Sequence, residues 1–230
     1  MNSDLKYSLL LALSFLVLFG LAEYLYHKQH IRAELTRKMV HICTGLLTLL
    51  FPLLLIHHWY VLMLCGSFAV IILASLRFNF LPSINAIDRK SHGSICYPIA
   101  VYLCFLVYEF YSSKTTHIGN PLLYYYLPIL TLAICDPMAA YAGKHFPYGK
   151  FKVWGGTKSL SGLTAFFLSS LIITSSVLYS FSATGTTGSD ILLLSLPLAI
   201  IGGIAEAISS KGLDNITIPV SVLLTLIALT

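Results

Sequence analysis

A chain of 230 residues that is 57% hydrophobic and only 10% charged, with a mean hydropathy of +0.83, lies far outside soluble composition, where charged residues make up roughly 25%. This excludes a soluble globular domain and leaves an all-α polytopic membrane protein. The formal net charge of +5 gains meaning only from where the charges fall along the chain.

Spans of about 20 apolar residues cross a bilayer as helices, and eight stretches qualify: 7–26, 39–56, 59–76, 94–111, 121–135, 160–182, 191–209 and 213–230. What remains is too short for a separate soluble domain, so residues 1–230 read as one integral membrane domain of about eight helices, or seven if the short last one does not cross. The first stretch is followed by a long-chained, basic segment, Tyr24 to Lys38, with no A-x-A-like site, so it reads as a retained anchor and not a signal peptide. Cys43, Cys65, Cys96, Cys104 and Cys135 fall in or at the ends of apolar stretches without C-x-x-C or metal spacing, and read as small buried hydrophobes.

All of the 14 Lys and Arg residues except Lys6 and Lys114 fall in the odd-numbered loops. By the positive-inside rule those loops are cytoplasmic and both termini external, as in a bacterial-type inner membrane or its equivalent. Glu34, Asp88, Asp136, Glu206 and Asp214 lie on that same side. A metal-phosphate site needs both signs together, whereas basic loops alone, such as Lys28, Arg32, Arg77, Arg89 and Lys90, can serve only topology and lipid headgroups.

Entering the second span, "TRKMVHICTG" repeats Arg37, His41 and Gly45 at i, i+4 and i+8 on one helical face. A His there is either a structural hydrogen bonder or part of a site. Further on, Asp136-Pro137 after an apolar span reads as an N-cap and N1 pair, so the span is expected to break and restart there. Asp136, Ala140 and Gly143 then share a small-residue face, and an ionisable group at a broken membrane helix is where ion and substrate sites form.

"DPMAAYAGKHFPYGKFKVWGGTKSLSG" is rich in Gly and Lys but is no Walker A loop: Gly143 to Gly149 is too long, Phe151 follows Lys150, and no strand is expected before it. A glycine-permitted backbone at a helix N-terminus can still favour an anion, which would set Lys158, Ser159 and the amides after it against a phosphate. The alternative is a turn at Gly155-Gly156 with Ser159 or Ser161 as an N-cap. Finally, "GGIAEAISSKGLDNITIP" puts Glu206 near the inner end of the seventh span and Asp214-Asn215 at the start of the eighth. A charge at the centre of a span costs roughly 2.5–3.5 kcal/mol on insertion scales, less near an end.

Taken in order, Arg37-Lys38 with His41 and Gly45, "GSICYP" from Gly93 to Pro98, Asp136 through Gly143 to Gly149, Lys158-Ser159 with Gly162, and Glu206 with Gly212, Asp214-Asn215 and Pro219 resemble the CTP-dependent membrane lipid kinases. That family includes dolichol kinase, phytol and farnesol kinase and the yeast-type diacylglycerol kinase. The resemblance implies an all-helical phosphotransferase with CTP as donor, Mg²⁺ or another divalent cation as cofactor, and a lipid alcohol as acceptor. Its partners would be these substrates and membrane lipids, with no nucleic acid.

Phosphoryl transfer depends on positioning and charge neutralisation, which sorts the candidates into roles. Arg37, Lys38, Lys144, Lys150, Lys152, Lys158 and Ser159 are expected to hold phosphates; Asp136, Glu206 and Asp214 a metal; Asp136, then His41, to serve as base; Gly143, Gly149, Gly162 and Asn215 to support them. The related phosphatidate cytidylyltransferases are the nearest alternative, although their D-R-x-D type signature is replaced here by "KGLDN". A small transporter is more distant, because the spans 59–76 and 160–182 carry no charged residue and the two halves are not alike.

Overall fold

The computed structural model describes residues 3–78, 80–85, 92–114, 120–153, 156–181 and 187–229. Asp88, Arg89, Lys90 and Gly155 from the sequence reading lie outside them. The described residues are mostly helical: α1 (Ser3–Lys28), α2 (Ala33–Thr48), α3 (Phe51–Leu54), α4 (His58–Phe78), α5 (Pro82–Asn85), α6 (Gly93–Ser112), α7 (Leu123–Leu130), a π-helical turn (Thr131–Cys135), α8 (Asp136–His145), α9 (Leu160–Ser180), α10 (Gly188–Ile208) and α11 (Asp214–Ala228). Among the described residues, seven helices are long and apolar enough to cross a membrane, α2 with α3 and α7 with α8 each counting as one. The protein is an integral membrane protein of the all-α class.

The stretch from 213 onward forms a helix of only 15 residues, below the length a straight crossing needs, so of the seven or eight spans expected the structure has seven among the described residues. Two expectations are corrected. Asp136 does not break the fifth span, for the helix runs on from Leu123 to His145. Asp136 itself has helical backbone angles, φ −62° and ψ −49°, and so is not an N-cap.

The second correction concerns the stretch before α9. Lys150–Val153 (β1) pairs antiparallel with Gly156–Ser159 (β2), with Phe151 opposite Lys158, so a strand does precede that helix. Four residues per strand are too few for a clear alternation of period two, and the hairpin carries no βαβ context, so the rejection of a P-loop stands.

Two bodies of packing frame the interior. On one side α4 lies against α6 and α1 against α2; on the other α9 packs on α8 and α10, and α10 on α11, which also touches α6 and α7. The segment 123–145 runs through the middle, and Leu123, Tyr124, Tyr125, Leu127, Ile129, Leu132 and Cys135 are fully buried. This central position explains why a Leu-, Ile- and Tyr-rich stretch lacks a polar face.

Candidate active site

The π-helical turn arises where Pro137 has no N–H to offer the carbonyls one turn below it, which disturbs the regular ladder. One freed acceptor, the Leu132 carbonyl, is taken by His41 Nε2 at 3.0 Å. If that nitrogen donates, as the contact requires, the ring is held in the Nε2–H tautomer. Gly45 makes the approach possible, because a Cβ there would overlap Ala133 and sit 2.7 Å from the Tyr97 hydroxyl. Tyr97 in turn donates to the His41 carbonyl at 3.2 Å and meets the imidazole edge-on at 4.9 Å between centroids. The alignment of His41 and Gly45 read from the sequence is thus a real packing seam between α2 and the π turn.

Just beyond the turn, Asp136 converges with Glu206 from the end of α10 and Asp214 from the start of α11. One carboxylate oxygen from each lies within 4.8 Å of the others. Lys158, delivered by β2, reaches into the cluster: its Nζ is 2.5 Å from Glu206 Oε1 and 4.0 Å from Asp214 Oδ2. His41 Nε2 stands 3.9 Å from Asp136 Oδ2, an ion-pair distance and not a hydrogen bond. Glu206 is 5% exposed, and its Oε2 has no hydrogen-bond partner among the described residues. A buried, unpaired carboxylate oxygen is costly, and three carboxylates at this spacing match the hard, oxygen-only shell of a divalent cation.

Small residues hold these elements in place. A Cβ on Gly162 would lie 2.9 Å from the Ala139 carbonyl, and one on Gly143 would lie 2.9 Å from Ser159 Oγ, so α8 and α9 cross closely enough to put Asp136 and Lys158 side by side. Ser159 caps α9, its hydroxyl accepting from the Gly162 amide at 3.2 Å, so the cap reading of this serine holds. Asn215 donates to the Gly93 carbonyl at 2.8 Å and ties α11 to α6. Gly149 takes a left-handed φ of 63° in the turn that starts the hairpin.

All of this opens into one cavity of about 670 Å³, lined at its polar end by Arg37, Lys38, His41, Lys144, Lys150, Lys158 and Ser159 with the three carboxylates. Lys144 is engaged at the rim by Glu34 at 2.6 Å, both side chains being exposed. Lys152 is exposed on the hairpin and, like Gly149, does not line the cavity. The sequence reading missed the cavity's other lining, an inner wall that includes Phe15, Phe19, Phe51 and Phe68. Their only signal was aromatic residues on spans already explained by lipid. Thr44, one turn below His41, also faces this space, and its buried hydroxyl has no partner among the described residues.

The cavity thus joins a basic rim and a carboxylate cluster to an apolar interior, within a bundle of helices apolar and long enough to cross a membrane. No family model and no solved structure matches the chain. The phytol kinase of Synechocystis sp. is 33% identical over 189 residues, covering 81% of this chain and 76% of the relative. The chain belongs to the family of membrane lipid kinases that includes phytol kinase.

Proposed function

We propose that the protein transfers the γ-phosphate of CTP to the hydroxyl of a membrane lipid alcohol, with Mg²⁺ or a similar divalent cation held by Asp136, Glu206 and Asp214. The observation that carries this reading is the meeting of three carboxylates with Lys158 at the polar end of the cavity, with Glu206 Oε2 left for a further ligand. The similarity to the Synechocystis phytol kinase supports a lipid alcohol as acceptor.

In this mechanism Lys158 and Lys150, with Arg37 and Lys38 from α2, neutralise and orient the phosphates. The bound cation would offset charge developing on the transferring phosphoryl oxygens. Asp136 takes the proton of the alcohol as its oxygen forms a bond to the γ-phosphorus. The bond from that phosphorus to the bridging oxygen breaks, and CDP leaves with the bonding pair. His41, whose Nε2 is engaged by the Leu132 carbonyl, holds the π turn that presents Asp136, and its ring stands 3.9 Å from Asp136 Oδ2. The concentration of Lys and Arg in odd loops supports a cytoplasmic site and an external N-terminus.

The deciding experiment uses the purified protein in detergent with Mg²⁺, a panel of polyprenol, phytol and diacylglycerol, and CTP or ATP labelled at the γ position. Label in the lipid supports the kinase, and the better donor identifies the nucleotide. Label in pyrophosphate instead would overturn it in favour of cytidylyl transfer.

A further inference from the structure

The cavity has two chemically different ends. Inward from the carboxylates it continues between α1, α2, α4 and α6, where Phe15, Phe19, Phe51, Phe68, Ile72 and Val101 line it, all of them buried. Protein interiors interlock side chains with few voids larger than a water molecule. An apolar space continuous with a reactive polar site is therefore shaped for the hydrocarbon part of a ligand.

We propose that Phe15 and Phe51 form the floor of the channel that takes the tail of the acceptor alcohol, and so determine how long a chain the enzyme accepts. This rests on the lipid-kinase reading above. The stripe on α2 gives the depth: Arg37, His41, Thr44 and Thr48 line the cavity in succession and Phe51 follows. Leu49 and Leu50, between α2 and α3, keep near-helical angles, so from His41 to Phe51 the channel descends about 15 Å at ~1.5 Å per residue.

The floor is closed by aromatic contacts. Phe15 meets Phe51 edge-on at 6.1 Å and Phe68 at 4.8 Å between centroids. Beneath it, Tyr125 donates to the Thr48 carbonyl at 2.9 Å and packs edge-on against Phe105 at 5.9 Å, filling the space beyond. An extended alkyl chain advances about 1.3 Å per carbon, given C–C bonds of ~1.5 Å. A main chain of about twelve carbons therefore reaches Phe51 with its hydroxyl beside His41 and Asp136. Farnesol has that length; geranylgeraniol and phytol exceed it, and a two-chain glyceride does not enter.

The test uses the full chain in detergent with geraniol, farnesol, geranylgeraniol and phytol, and two readouts: transfer of γ-label from CTP, and thermal stabilisation of the protein by each alcohol without nucleotide. Wild type is expected to favour farnesol over geranylgeraniol by at least ~tenfold in kcat/KM, the lower end of what a pocket exerts against one methylene too many. Phe51→Ala and Phe15→Ala are expected to bring that ratio to about one or below, and Phe51→Trp to favour geraniol over farnesol. Ratios within one variant are independent of how much of it folds. No length preference in wild type, or ratios unmoved by all three substitutions, overturns the proposal. If no alcohol is labelled but the stabilisation series shows the break and its shift, the channel stands and the kinase reading falls.

Discussion

Lys158→Met isolates the electrostatics of the site. In the structure its ammonium is the cation facing Glu206 at 2.5 Å and Asp214 at 4.0 Å, with the Lys158 and Glu206 side chains 22% and 7% exposed. Removing one partner of a buried ion pair costs about 3–5 kcal/mol, because the other charge is left uncompensated. For a chain of this size each kcal/mol lowers Tm by roughly 2–4 °C, so a fall of roughly 6–20 °C is expected. A divalent cation then replaces the missing charge, and at a concentration of about one hundred times Kd it returns about 2.7 kcal/mol. Thermal unfolding in detergent with EDTA and with Mg²⁺ measures both effects, and Mg²⁺ should stabilise the variant more than wild type, where the ammonium competes with the ion. Adding Glu206→Gln should recover part of the loss in EDTA and abolish the extra response to Mg²⁺. A Lys158→Met protein that melts like wild type and ignores Mg²⁺ would refute the assignment of a cation site to these carboxylates.

Asp136→Asn is expected to keep the fold, since the amide fits the same space, while turnover falls by about 10²–10⁴ as the base is lost; γ-label transfer at saturating substrate checks this. Gly45→Ala should wedge α2 from the π turn by pushing on Ala133 and Tyr97, at a cost of about 1–3 kcal/mol, and a Tm that stays at the wild-type value would contradict that seam. Lys144→Ala should leave Tm nearly unchanged, because its pair with Glu34 is exposed, and should raise KM for the nucleotide without changing KM for the lipid. Asn215→Ala removes the hydrogen bond that ties α11 to the Gly93 carbonyl and should cost about 0.5–1.5 kcal/mol, read as a lower Tm with weakened Mg²⁺ stabilisation as α11 and Asp214 loosen.

The charges near membrane helix ends were legible in the sequence because such residues are rare enough in apolar spans to stand out. Asp136, Lys158, Glu206 and Asp214 come from four separate elements, three helices and a strand, yet each could be singled out from its local contrast. Ser159 was legible as a cap for the same local reason. The path of the backbone between them was not: Asp136-Pro137 carries the same signal whether the helix stops or adds a π turn, and the choice is made by His41 reaching the Leu132 carbonyl from another helix. Nor was the aromatic floor, since Phe15 facing a cavity and Phe15 facing lipid look identical in composition.

The π turn also has a rotational consequence. An α-helix advances about 100° per residue, so a single extra residue in the turn leaves α7 and α8 out of phase with each other. Upstream, α7 is thereby oriented for α11 and α6, while downstream α8 presents its glycine to α9. Making 131–135 a regular α-helix with the same number of residues would swing Asp136 about 100° from its place beside Glu206 and Asp214. Regularity and reactivity are alternatives at this point in the chain, and the fold keeps the irregular one.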